Sequence, residues 1–322
     1  MIRAEPCCAR SLVSLPYHHP VKISVCIPSY RRPERLAALL NDLEHQDLRP
    51  DEVVVVDNDA AGSAREVVEQ RRAHGCSFSL LYEIQPKRNI ALTRNRTVQL
   101  AQGEWLAFVD DDERAPPAWL GQLVAAAERY DADGVLAPVE PQVPESAPAW
   151  IRRGRFYEWG HAPSGTVVPP HMLRFGNVLL RGASLRAEPG PFDVSFGLAS
   201  GEDHDVLRRL IARGARIVWC DEALVLEPIE TRRLSLRWLL HRALSGGQSF
   251  ARVSIAESSG PVSAVRRLLM ILRWFLQLLL AVVLAALSWP IGRHRAAGWL
   301  LKASANLGKL SVFLGWRYRD YA

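Results

Sequence analysis

The 322-residue sequence predicts an α/β fold, a doubly wound and mostly parallel sheet followed by a C-terminal hydrophobic helical tail. Three observations carry that reading. Short β-branched runs alternate with helix-length amphipathic stretches from Val21 to about Glu227, the pattern of βαβ units. One of those runs, Glu52–Asp57, is continuously apolar up to a terminal acid, as expected of a strand buried on both faces. Finally, the longest uncharged stretch lies near the end of the chain and is bracketed by arginines.

Val21–Pro28 reads as the first strand, and Pro33 opens a helix in which Leu36, Leu39, Leu40 and Leu43 share one face. Glu52–Asp57 is the second strand and Ser63–His74 the second helix. Ser77–Glu83 is a strand, Ile90–Ala101 a helix, Trp105–Val109 a fourth strand, Pro117–Tyr130 a helix and Gly134–Pro138 a short strand. Val139–His171, rich in Pro, Gly and aromatics, reads as a long loop with little regular structure. Order returns with a strand at Asn177–Leu180, a helix at Glu202–Arg213, a strand at Arg216–Cys220 and a helix at Leu234–Phe250 that has a basic side. The expected organisation is a flexible leader over 1–20, a catalytic domain over 21–230, an amphipathic helical extension over 231–260 and a membrane-associated tail over 261–322.

Composition narrows the partners. Apolar residues make up 48% and charged residues 23%, a globular balance. Five scattered cysteines form no metal-ligand spacing and no disulfide framework, which suits a reducing compartment. The net charge of +6 is uneven: after Pro261 there are nine basic residues against one acid, Asp320, so the rest of the chain is slightly acidic. A nucleic-acid binder carries its basic surface on the folded domain; here the excess accompanies the most apolar segment, which points to anionic lipid and to no nucleic-acid partner. Met1–Pro20 has no apolar run of signal-peptide length, so the main domain is expected to stay cytoplasmic.

In a parallel sheet, ligands sit at the carboxyl ends of the strands. Three strands end there in polar residues: Ser29-Tyr30-Arg31, Asp57-Asn58-Asp59 and Asp110-Asp111-Asp112. The last, with Glu113, makes four consecutive acids whose repulsion asks for a cation, and Mg²⁺ takes carboxylates together with phosphate oxygens. A solvated acidic turn ahead of the next helix is the structural alternative.

At these motifs the chain resembles family 2 glycosyltransferases of the GT-A fold, in particular bacterial exopolysaccharide-type members, over roughly Val21 to Gly247. Val25-Cys26-Ile27-Pro28-Ser29-Tyr30-Arg31-Arg32 resembles the first strand and nucleotide-contacting turn. Val55-Val56-Asp57-Asn58 resembles the second strand with its base-recognising Asp, and Asn89 through Arg94-Asn95 the segment supplying an arginine near the nucleotide. Asp110-Asp111-Asp112 resembles the DXD motif. Gly201-Glu202-Asp203, followed by Arg208-Arg209-Leu210 and Gly214, resembles the ED motif whose Asp is the catalytic base.

The resemblance implies an inverting transferase that moves a single sugar from a nucleotide diphosphate sugar, a UDP-sugar first, to a lipid-linked or glycan acceptor in surface-polysaccharide synthesis, with Mg²⁺ or Mn²⁺ as cofactor. It implies Asp203, flanked by Glu202, as catalytic base, with Pro28, Tyr30, Arg31, Asp57, Arg94, Asp110 and Asp111 around the donor. Asp112, with Asp110, would hold the metal, and Asn177, Trp238 and Arg242 would lie on the acceptor side. Glu202 also fits a first-turn acid favourable to the helix dipole, Arg94 a surface arginine, Asn177 a turn before a strand, and His204 a hydrogen-bonding neighbour of the base. Leu234-Ser235-Leu236-Arg237-Trp238 lacks the Gln of the processive Gln-x-x-Arg-Trp motif, which favours single-sugar addition; Trp238 and Arg242 equally suit a plain amphipathic helix. A membrane-tethered, catalytically silent nucleotide-binding module is the other function class, although it would need neither the acid triplet nor the Glu-Asp pair.

In the tail, Trp274–Ile291 is uncharged over 18 residues, the lower limit for a span. Arginines flank both ends, so the positive-inside rule chooses no orientation. Trp299–Trp316 has the look of an interfacial helix. One span, a re-entrant hairpin, or two helices lying in the cytoplasmic leaflet all remain open, as does a soluble helical pair. The expected location is the cytoplasmic face of the bacterial inner membrane.

Overall fold

The computed structural model describes residues 21–196, 201–256 and 263–316; the expected leader over 1–20 lies outside the described residues. A seven-stranded sheet organises the fold, in the order β3-β2-β1-β4-β7-β5-β8. Its strands are β1 (Ile23–Ser29), β2 (Glu52–Asp57), β3 (Ser79–Ile84), β4 (Trp105–Val109), β5 (Gly134–Leu136), β7 (Asn177–Arg181) and β8 (Ile217–Trp219). β7 is antiparallel to both its neighbours, β4 and β5, and every other pairing is parallel. A second, two-stranded parallel sheet joins β6 (Val139–Gln142) to β9 (Val225–Pro228).

Successive side chains of a strand point to opposite faces, and here each face has its own core. Val25, Ile27, Val53, Val55, Ala107 and Val109 enter one, against α1 (Pro33–Glu44), α2 (Arg65–His74) and α4 (Trp119–Arg129). Cys26, Val54, Val56, Leu106 and Phe108 enter the other, against α3 (Ile90–Leu100) and α7 (Glu202–Ala212). This two-sided burial is why β2 reads as an unbroken apolar run. In α1, Leu36, Leu39, Leu40 and Leu43 are all fully buried, each worth about 1.5–3 kcal/mol of transfer free energy.

Three readings need correction. Val139–His171 is not a bare loop: it holds β6, the helix α5 (Ala149–Gly154) and a 3₁₀ turn at Pro170–Met172. β6 is short and finds its partner, β9, more than eighty residues on, so local sequence does not announce it. The short helix α6 (Gly182–Arg186) follows β7 without the length that periodicity needs. The basic helix is longer than expected, running over Leu236–Ala256 as α8. Two further helices complete the fold, α9 (Ser263–Ser288) and α10 (Arg293–Ser311), packed on each other and, through α10, on α8.

Candidate active site

The cleft lies where the topology predicts, at the carboxyl ends of β1, β2 and β4, bordered by Pro28, Tyr30, Asn58, Arg88, Asp110 and Asp111. Its floor is built from acids and arginines that come from four distant parts of the sequence.

After β4 the acidic loop turns tightly, with Glu113 N donating to Asp110 O at 3.1 Å and Asp110 N donating to Glu113 Oε2 at 3.0 Å. The three aspartates then go to three different places. Asp111 is buried and ties the loop to the end of β1: it accepts from Ser29 Oγ (2.9 Å), Tyr30 N (3.0 Å) and Arg32 Nη1 (2.9 Å). Asp112 is ion-paired to Arg233 (2.8 Å) and Arg32 (3.3 Å). Asp110 keeps 37% of its side chain open to the cleft and meets the edge of Arg94, at 3.4 Å. Although open on one side, Asp110 sits on a protein floor that strips much of its water, and this raises its pKa; Arg94 works against the shift and Asp112 adds to it. Burial likewise pushes Asp111 above the usual carboxylate range. Glu113, enclosed beside Asp110, is pushed well above it. The next turn must stay close: Gly176 has φ +110°, and a Cβ there would lie 2.9 Å from Glu113 Oε1.

Arg94 links this loop to the Glu-Asp pair. Asn89 caps α3, accepting from Leu92 N, and so sets the helix that aims Arg94 inward. The guanidinium donates to Glu202 Oε1 at 2.6 Å, reaches Asp110 at 3.4 Å and lies 5.2 Å over the Phe175 ring. Arg94 and Glu202 are 8% and 4% exposed, so the pair is buried, and Arg94 is no surface residue. Glu202 nonetheless has a raised pKa, from burial first and the adjacent Asp203 second, with Arg94 opposing. Asp203 follows at the start of α7, after Gly201 with φ +130°. Its carboxylate accepts from Phe175 N (3.3 Å) and His204 N (2.7 Å), which fix its direction while leaving lone pairs over. The His204 ring turns aside to the Pro170 carbonyl (3.2 Å).

Several expected contacts lie elsewhere. Asn177 is buried, accepts from Trp119 Nε1 (2.8 Å) and donates to the carbonyls of Pro138 (2.8 Å) and Ala223 (2.7 Å), so its amide is bound into the scaffold. Asp57 is also turned inward, accepting from Asp59 N, Ala64 N and the Tyr82 hydroxyl, and it shapes the turn that brings Asn58 to the cleft. Arg31 adopts φ +54° and pairs outward with Asp59; its side chain is 64% exposed. Arg32 is the arginine that faces the acids, and sequence reasoning passed it over in favour of its neighbour. Arg233 was missed because the turn that carries it is recognisable only once β9 is in place. Trp238 is half-buried, stacked on Tyr157 in a small core with Ile151 and Leu239, with Arg233 and Arg242 over its ring. Arg242 itself is exposed beside this wall, where its charge reaches Glu227.

A sheet of this topology with acids at the switch point is the GT-A architecture. A solved GT-A structure superposes over most of the chain: the mannosyltransferase PcManGT of Pyrobaculum calidifontis, in complex with GDP-Man and Mn²⁺, gives a TM-score of 0.63 at 18% identity and covers 93% of this chain and 88% of that one. The Glycosyl transferase family 2 profile matches residues 24–174. The succinoglycan biosynthesis protein ExoM of Rhizobium meliloti is 36% identical over 248 residues, 74% of this chain and 77% of that protein. The galactofuranosyltransferase GlfT1 of Mycobacterium tuberculosis is 31% identical over 220 residues, 63% and 68% of the two chains. The chain belongs to glycosyltransferase family 2.

Proposed function

We propose that this glycosyltransferase moves a single sugar, with inversion, from a nucleotide diphosphate sugar to a lipid-linked glycan acceptor in surface-polysaccharide synthesis, at the cytoplasmic face of the bacterial inner membrane. A UDP-sugar is the expected donor. One observation carries the reading: Arg94 pairs with both Asp110 and Glu202, which holds the acidic loop beside the start of α7, where Asp203 follows Glu202. The names of ExoM and GlfT1 support a role in glycan assembly, and the tail supports a lipid-linked acceptor.

Pro28, Tyr30 and Asn58 would line the nucleotide, with Arg88 stacked on the Tyr30 ring at 4.7 Å. Asp203 takes the proton of the attacking acceptor hydroxyl, held for that task by the Phe175 and His204 amides. One displacement inverts the anomeric centre, so no nucleophilic side chain is required. Glu202, locked on Arg94, keeps the start of α7 in register with the acidic loop.

Among the described residues no three His, Cys, Asp or Glu side chains converge into a complete metal cage. An ion held by one or two carboxylates and completed by phosphate oxygens does fit, because Asp110 is open at the cleft floor and feels the charge of Asp112. Mg²⁺ or Mn²⁺ held by Asp110 and Asp112 would neutralise charge developing on the leaving diphosphate. Asp112 would exchange its pairing with Arg233 for that role.

Detergent-extracted protein incubated with UDP-, GDP- and dTDP-sugars, lipid extract and either cation tests the proposal. Turnover of one donor that requires both cation and lipid, and gives a product of inverted anomeric configuration, is the expected result. A product of retained configuration would overturn the mechanism.

A further inference from the structure

We infer that α9 lies in the plane of an anionic lipid bilayer, submerged in one leaflet, and does not cross it. The inference rests on the membrane association proposed above and adds its geometry. Among the described residues α9 is the one helix long and apolar enough to span, so the question is which way it goes.

The packing answers it. From Trp274 onward α9 buries a single narrow seam, Trp274, Ala281, Ala285 and Ser288. The side away from that seam is apolar and open: Phe275, Leu279, Val283 and Leu287 are 47%, 48%, 54% and 63% exposed. The seam is covered by α10, which runs back along it. At one end the chain reverses within Trp289–Gly292; at the other Trp274 meets Phe313 (6.1 Å between centroids) and Lys309 Nζ lies 6.0 Å from the Trp274 ring.

α10 is not free to follow α9 into a membrane. Gly247 of α8 packs on the Ala305 carbonyl and Gly308 of α10 on the Leu244 carbonyl, with no room for a Cβ at either place. Ser304 Oγ donates to the Leu240 carbonyl at 2.7 Å and Gln248 Nε2 to Ser311 Oγ at 2.7 Å. Leu301 joins the small core of Ile151, Tyr157 and Leu239, which anchors α10 to the catalytic domain. A spanning α9 would therefore drag Lys302, half-way along α10, to mid-bilayer, where a charge is costly.

Length and charge agree. After Arg273 the uncharged part of α9, Trp274 to Ser288, is about 22 Å of helix at 1.5 Å per residue, short of a hydrocarbon core of about 30 Å. Arg266 and Arg273 precede it and Arg293 and Arg295 follow, with no Asp or Glu between residues 263 and 316. Basic residues at both ends of an in-plane helix meet the phosphates of the same leaflet. α9 lacks a polar face of its own; α10 supplies it.

The test uses the full chain with Cys7, Cys8 and Cys76 changed to Ser, keeping the buried Cys26 and Cys220. Leu268→Cys, Leu279→Cys and Leu287→Cys are made singly, labelled with NBD, checked for fold by circular dichroism and bound to vesicles rich in phosphatidylglycerol. In-plane burial predicts a blue shift at all three positions and stronger quenching by a shallow than by a deep spin-labelled lipid. It also predicts complete loss of emission at all three when dithionite is added outside. Deep quenching at 279, with 268 or 287 protected from dithionite, would show a span and overturn the inference while keeping the membrane proposal. No blue shift and no vesicle binding, with a concentration-dependent dimer on gel filtration, would instead assign the face to a second copy and overturn both.

Discussion

Arg94→Met removes one half of the buried ion pair that joins the acidic loop to the start of α7. Glu202 is 4% exposed and its partner oxygen lies 2.6 Å from Arg94 Nη1. Removing one partner of such a pair leaves an uncompensated charge and costs about 3–5 kcal/mol. Glu202→Gln removes the charge from the other side, and the double variant Arg94→Met/Glu202→Gln removes both charges of the pair, so it recovers part of the loss. The sum of the single effects should exceed the double by about 1–3 kcal/mol. The effect also depends on pH in a defined sense. The Glu202 pKa is already raised by burial, with Arg94 holding it down. A carboxyl with a raised folded pKa stabilises the fold through its protonated form, fully below the unfolded value of about 4.3, and loses that contribution as pH rises through the folded value. Without Arg94 the folded value climbs further, so the variant's deficit is smaller at about pH 5 than at about pH 8. Urea unfolding of the detergent-solubilised chain, followed by tryptophan fluorescence, reads all three variants. A cost below about 1 kcal/mol for Arg94→Met, the same at both pH values, would mean that the pair is solvated, and the link between the acidic loop and α7 would fail with it.

Two further substitutions probe the scaffold. Asn177→Ala strips three buried hydrogen bonds at once and should cost at least about 3 kcal/mol in the same unfolding experiment, while the acceptor KM of the folded fraction stays at the wild-type value. Gly176→Ala forces a Cβ towards Glu113 Oε1 in left-handed backbone, with an expected loss of about 1–2 kcal/mol and reduced donor affinity by calorimetry, because the acidic loop must shift.

The sheet was legible because its strands are buried on both faces: Glu52–Asp57 and Trp105–Val109 have the bounds the apolar pattern gives. Strands whose partners are distant were not, β6 and β9 being short and paired across more than eighty residues. In the site, the acids stood out as consecutive charges, but their division of labour did not. Asp111 and Asp112 are committed to arginines from other segments, and only packing distinguishes Arg32, facing inward, from Arg31, turned outward. Asn177 and Asp57 show the same limit from the other side. A polar residue at a strand end reads as a ligand contact, yet Asn177 is held by the Trp119 indole and by carbonyls far away in sequence, and Asp57 by the amides of the turn that follows it and the Tyr82 hydroxyl.

The central claim is that Asp203 is the base of an inverting transfer. Asp203→Asn keeps the shape and one acceptor oxygen while removing the proton acceptor, so donor Kd by calorimetry and donor turnover by product release should be measured on the same preparation. The account predicts an unchanged Kd with kcat lowered by about 10²–10⁴. Turnover at the wild-type rate in Asp203→Asn would contradict it.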